Sequence, residues 1–134
     1  MKFWRGLAVF VSTLLLASCA TTDNRYGGRG WELLGQREAD FRAERDRIEV
    51  RRREEAFREI RIDVKAAPLE MYNMVVTFGD GSTFSPNIRN RFDENSWSRN
   101  IDLPGDRRII RSVDFAYRSL NRREGRATVL LYAR

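Results

Sequence analysis

Leu69-Glu70-Met71-Tyr72-Asn73-Met74-Val75-Val76-Thr77-Phe78, closed by Gly79-Asp80-Gly81, is the stretch that decides the fold. Its apolar residues fall on both sides of a two-residue period, as in a strand at the centre of a sheet. Gly-Asp-Gly then supplies turn residues able to take positive φ. Downstream, Trp97, Arg99, Ile101 and Leu103 alternate up to Pro104-Gly105-Asp106, and Val113, Phe115 and Tyr117 alternate with Ser112, Asp114 and Ala116. After turn residues at 121–125, Ala127, Val129, Leu131 and Ala133 form a last strand. Upstream, Ile60, Ile62, Val64 and Ala66 alternate with Arg61, Asp63 and Lys65, and Ala39, Phe41 and Ala43 alternate with Asp40, Arg42 and Glu44. Residues 50–57 are so rich in Arg and Glu that a short helix and a charged loop both stay open. Short strands parted by turn signals, without βαβ spacing, predict an all-β fold over residues 31–134: an antiparallel β-sandwich of about seven to nine short strands.

The chain's 134 residues suffice for one such domain, and 42% apolar content lets it bury a core. It has no His, which excludes Ser-His-Asp and Cys-His catalysis and histidine metal sites. Its single Cys excludes an intrachain disulfide framework and any CxxC pair. Of 25 basic residues, 23 are Arg, but in residues 37–61 nine of them interleave with eight acids. A groove for polyphosphate would be less balanced, so no nucleic-acid partner is expected.

The N-terminus reads as an export signal, residues 1–18. Lys2 and Arg5 precede the mostly apolar run Leu7 to Leu16, and small residues follow at Ala17 and Ser18. That run is too short for a permanent span, which needs around 20 residues. Leu16-Ala17-Ser18-Cys19 resembles the lipobox of bacterial lipoproteins. The resemblance implies cleavage between Ser18 and Cys19, diacylglycerol on the Cys19 thiol and acylation, such as by palmitate, of its new amine. Two or three acyl chains hold a protein stably where one holds it only marginally. Residues 19–30 then form a lipidated, polar, Gly-containing tether, of which residues 20–30 reach roughly 17–20 Å. In enterobacteria-like lipoproteins an Asp after the Cys retains the protein at the inner membrane. Ala20 therefore implies the outer membrane, facing the periplasm. The mature chain carries 23 basic and 19 acidic side chains, a modest net +4.

Beyond the lipobox, Trp31-x-x-Leu34-Gly35, Asp46-x-Ile48, Val76-Thr77-Phe78-Gly79-Asp80-Gly81, Ile101-Asp102-Leu103-Pro104-Gly105-x-x-Arg108-x-Ile110 and Val113-x-Phe115-x-Tyr117-Arg118 stand out. Together they resemble a family of small exported bacterial β-sandwich domains with no assigned function. The resemblance implies the fold and export, and supplies no catalytic residue.

Paired carboxylates are the remaining acid–base route. Asp40, Glu44 and Asp46 are close in sequence, as are Asp102 and Asp106, but a glycosidase-like pair has to come from separate segments framing a cleft. Asp80-Gly81-Ser82 offers hard oxygen ligands, yet the EF-hand spacing is absent and a tight turn accounts for the same residues. No metal and no cofactor are expected. Asp102 and Arg108 flank the Pro104-Gly105 turn, as an ion pair that locks it or as a polar rim for a ligand. Trp31 and Trp97 lie beside polar segments and are the aromatics expected to be partly exposed, fit to stack on a sugar. Asp102, Arg108 and Trp97 are thus the candidate ligand-binding residues.

The reading is a lipid-anchored cell-envelope module that binds or supports, and is not an enzyme. Its partners are the membrane, through the lipid, and an envelope protein or glycan. The alternatives are an envelope hydrolase using a carboxylate pair and an accessory or inhibitory subunit of an envelope complex. Replacing Cys19 with Ala is expected to block lipid attachment and to release the protein from the membrane or leave it uncut. Mass spectrometry of the mature N-terminus checks this, and an unmodified terminus beyond Cys19 in the wild type would refute it.

Overall fold

Residues 30–39, 44–51, 54–120, 123 and 125–134 are described by a computed structural model. They contain eleven strands: β1 (Glu32–Glu38), β2 (Glu44–Glu49), β3 (Ala56–Phe57), β4 (Glu59–Lys65), β5 (Leu69–Phe78), β6 (Thr83–Phe84), β7 (Asn90–Phe92), β8 (Ser96–Trp97), β9 (Ile101–Asp102), β10 (Arg108–Ser119) and β11 (Thr128–Ala133). Four of these have only two residues, so seven longer strands carry the architecture. All pairings are antiparallel. The first sheet runs β1-β11-β4, with β8 and β9 both on the far side of β4; the second runs β2-β10-β5, with β3 also on β10 and β6 and β7 also on β5. The expected all-β sandwich is the fold found. The expected signal peptide and most of the tether lie outside the described residues.

One pattern recurs: each of β4, β5 and β10 has an edge covered by two strands in succession, both short on β4 and β5, and the longer β2 with the short β3 on β10. The gap between β8 and β9 shows how such an edge stays bonded. Ser98 N–H donates to the Ile62 carbonyl (2.7 Å), while Ser98 Oγ accepts from Ile62 N–H (3.0 Å). A hydroxyl thus stands in for a backbone carbonyl, which is why Ser98 is buried. The expected unbroken alternation from Trp97 to Leu103 fails here: Trp97 points outward, and Ile101 and Leu103 point to the core.

Between the sheets lie Ile60, Ile62 and Val64 from β4, Leu69, Met71, Met74, Val76 and Phe78 from β5, Ile110, Val113, Phe115 and Tyr117 from β10, and Val129 and Leu131 from β11. On β5 the inward set slips by one residue between Met71 and Met74. The register shows why: Met71 pairs with Tyr117 and Asn73 with Ala116, so Tyr72 is an extra residue, a β-bulge. The stretch that reads as apolar on both faces is instead a central strand with one core face, its phase changed by that bulge. A second bulge on β10 leaves Arg111 unopposed, and a third on β1 leaves Leu34 unopposed.

Three further expectations shift. β4 ends at Lys65, and Ala66 is exposed with φ of 70°, outside the alternation. The strand expected around Ala39–Ala43 is not found at Ala39, which is buried just past the end of β1; residues 40–43 lie outside the described set. The strands in this region are β1 and β2, both charged and both at sheet edges. In residues 50–57 the described part holds the short strand β3, paired with Arg108 and Ile109.

At one side of the sandwich β1 and β2 run past each other without pairing, around a groove of about 410 Å³. They approach so closely that a Cβ on Gly35 would sit 2.5 Å from Ile48 Cγ2. Gly35→Ala is expected to destabilise by about 1–3 kcal/mol through overpacking, and that increment should shrink when it is made in an Ile48→Ala background, although Ile48→Ala, at a core position, destabilises by itself. Urea denaturation of the single and double variants measures both; a neutral Gly35→Ala would mean that the strands can move apart freely.

Candidate functional site

β11 carries the run Val129-Leu130-Leu131-Tyr132, so its outward residues need cover as much as its inward ones. Leu130 and Tyr132 are each only 4% exposed, and with Trp31 they form a second apolar cluster outside the sandwich. The register sets the neighbours in cross-strand rows on this outer face. One row is Leu33, Tyr132 and Arg61; the next is Gln36, Leu130, Asp63 and Trp97. Glu59 faces Asp102 at one end, and Lys65 faces Thr128 at the other.

Trp31, just ahead of β1, folds over these rows and is held by two cations. The Arg61 guanidinium lies 4.9 Å from its ring centre and 5.6 Å from that of Tyr132, and Arg134 lies 4.7 Å from Trp31. Cation–π contacts of this kind strengthen as they are desolvated. Arg61 also grips Asp63 with both ends of its fork, Nε to Oδ1 at 2.8 Å and Nη2 to Oδ2 at 3.2 Å. Two residues apart on one strand, the pair shares a face. Both side chains are largely out of water, at 13% and 2% exposure. Burial pushes the Asp63 carboxyl above the usual Asp range, although Arg61 and Lys65 pull the other way. Burial and the Asp63 charge likewise raise the Tyr132 phenol. Beside them, a hydrogen bond from Arg134 is the main cause holding Glu59 below the usual Glu range, with a lesser contribution from Asp102.

Two of the three candidate ligand-binding residues come together on this face. Trp97, 63% exposed, stands across from Asp63, and Asp102 stands across from Glu59. Arg108 belongs to the other sheet and pairs with Asp80 (3.4 Å) rather than Asp102. Its guanidinium lies 3.8 Å from the Phe78 ring centre and donates to Ser82 Oγ (2.8 Å) and the Pro104 carbonyl (3.1 Å). Arg108 therefore joins two turns, and Asp80, whose Oδ1 accepts from the Ser82 amide and hydroxyl, is taken up by the same network. Trp31, expected to be partly exposed, is 8% exposed. Cys19, Ser18 and Asp40 lie outside the described residues. The sequence reading passed over Arg61, Asp63, Leu130 and Tyr132. The available signal was the unbroken apolar run 129–132, which says that β11 is covered twice.

Other acids are also engaged by arginines. Arg47 meets Asp114 and Arg118 meets Glu70 at 2.7 Å, Arg126 meets Glu38 at 3.1 Å, and Arg58 meets Asp106 at 3.2 Å. Exposed pairs of this kind contribute only about 0–1 kcal/mol each. In the buried Arg61–Asp63 pair, the raised Asp63 carboxyl links stability to pH. A carboxyl raised by folding adds stability below about pH 4 and loses it as pH rises through its folded titration. Asp63→Asn is therefore expected to track the wild type at low pH and to gain on it as pH rises. Denaturation at several pH values measures the gap; a variant that loses ground instead would show that Arg61 outweighs burial.

Compared with known proteins, no curated protein gives a significant match. Among solved structures that do match, one is the Tobacco streak virus coat protein, with a TM-score of 0.34 and 15% sequence identity, covering 80% of this chain and 88% of that one. A family profile described as "Domain of unknown function (DUF2541)" matches residues 7–133, which take in both Cys19 and the sandwich. The chain belongs to that family, DUF2541.

Proposed function

We infer that this protein is a lipid-anchored module of the cell envelope, held at the outer membrane through Cys19 and facing the periplasm. It acts by contact rather than by catalysis. The observation that carries the non-enzymatic reading is how two carboxylates of the outer face, Asp63 and Glu59, are used. The one raised by burial, Asp63, is 1% exposed and forked to Arg61, so it cannot reach a substrate. Glu59, the more accessible, is held ionised by Arg134, the wrong state for a general acid. What the face offers a partner is Trp97. The leader and lipobox support the anchor, and the family match, beginning at residue 7, takes in the apolar run, the lipobox and nearly all of the domain.

Glu59 and Asp102, facing each other on neighbouring strands, keep a hydrolase as the second reading. The mature protein, incubated with isolated envelope glycan and lipid, is expected to release no product, and Glu59→Gln/Asp102→Asn should behave identically. Product released by the wild type and lost in the double variant would establish the hydrolase.

A further inference from the structure

We propose that the outer face of the first sheet lies against the headgroup layer of the membrane that holds the anchor, with Trp97 seated in that layer. The inference rests on the lipid-anchored reading above and names the partner that the face meets.

The first ground is where the chain arrives. The eleven residues 20–30 separate Cys19 from Trp31, and Trp31 is pinned to this face by Arg61 and Arg134. A tether reaching roughly 17–20 Å that joins the domain here brings this side nearest the anchor.

The second ground is what projects from the face. Large apolar side chains exposed among the described residues are Leu33, Trp97 and Ile109, and the first two are on this face. Trp97 stands one strand beyond β4 and one alternate residue along from Arg61, roughly 8–10 Å from the Arg61 position by sheet spacing. Trp concentrates at membrane–water boundaries, where its ring is half solvated and its N–H stays in reach of polar groups.

The third ground is charge. Arg61, Lys65, Arg126 and Arg134 are matched by Glu38, Glu59, Asp63 and Asp102, with Arg61–Asp63, Arg134–Glu59 and Arg126–Glu38 in direct contact. A balanced face neither gathers polyanions nor is repelled by headgroups. Its contact rests on the indole together with the acyl chains at Cys19, and is insensitive to salt.

The test uses the mature chain, purified from the envelope with its lipid content checked by mass spectrometry, and reconstituted into phosphatidylcholine vesicles with and without brominated acyl chains. Brominated chains are expected to quench part of the tryptophan emission, equally at low and high salt, and that quenched part should be missing in Trp97→Phe, where Trp31 alone emits. Trp97 is exposed, so this variant should fold normally. A lipid-bearing, vesicle-bound protein with no quenching overturns the face assignment and leaves the anchor standing. A mature chain without lipid overturns the anchor, and the face assignment with it. Trp97 emission that answers to soluble envelope glycan or to a protein partner, but not to brominated lipid, gives the face to that partner.

Discussion

A strand with apolar side chains on both faces has to be covered twice, and the packing of β11 shows what that demands. Its inner residues meet the second sheet in the ordinary way of a sandwich. Its outer residues, Leu130 and Tyr132, have no third layer above them among the described residues, and cover comes from Trp31 and the guanidinium groups of two arginines. Roofing a sheet with charged side chains works only if the charges are themselves satisfied, and Asp63 and Glu59 do that for Arg61 and Arg134. The outer face is therefore a polar network built on an apolar need. Its most water-accessible aromatic, Trp97, stands at the rim of that network.

Much of the fold is legible in the sequence because β4, β11 and the part of β10 from Val113 to Tyr117 keep a two-residue period on the core side. What is not legible follows from three physical causes. Bulges change the phase: Tyr72 inserted into β5 turns a one-faced strand into a segment that reads as two-faced. Edge strands need little apolar content. ELLGQRE and ERDRIE put Leu34 and Ile48 toward the core and fill the remaining positions largely with charge, so β1 and β2 hide among residues that look like loop. Ser98 is a third case, since nothing in a serine announces that its hydroxyl will complete a ladder.

The candidate site is half legible for a related reason. Trp97 and Asp102 can be picked out as an isolated aromatic and an acid beside a turn. That they share a face with Arg61 and Asp63 depends on β8 and β9 both landing on β4, a long-range pairing that periodicity cannot show. Arg61 and Asp63 look like solvent-facing positions when β4 is read alone. They become interior only once β11 lies beside them and Trp31 above. The arginine-rich composition is easier to place: across both sheets acids stand where cross-strand or same-strand geometry lets guanidinium groups reach them, so the high Arg count coexists with modest net charge.

The Trp31 clamp also bears on mechanics. Force arriving along the chain from before residue 30 enters the domain at the first residue of an edge strand, the place where a sheet peels most readily, one hydrogen bond after another. Here it meets an indole wedged between guanidinium groups from β4 and from the residue that follows β11. Load is thereby shared across three strands before the β1–β11 ladder has to bear it alone. The domain should resist being unzipped from its N-terminal end more strongly than the short, charged strand at that edge would suggest.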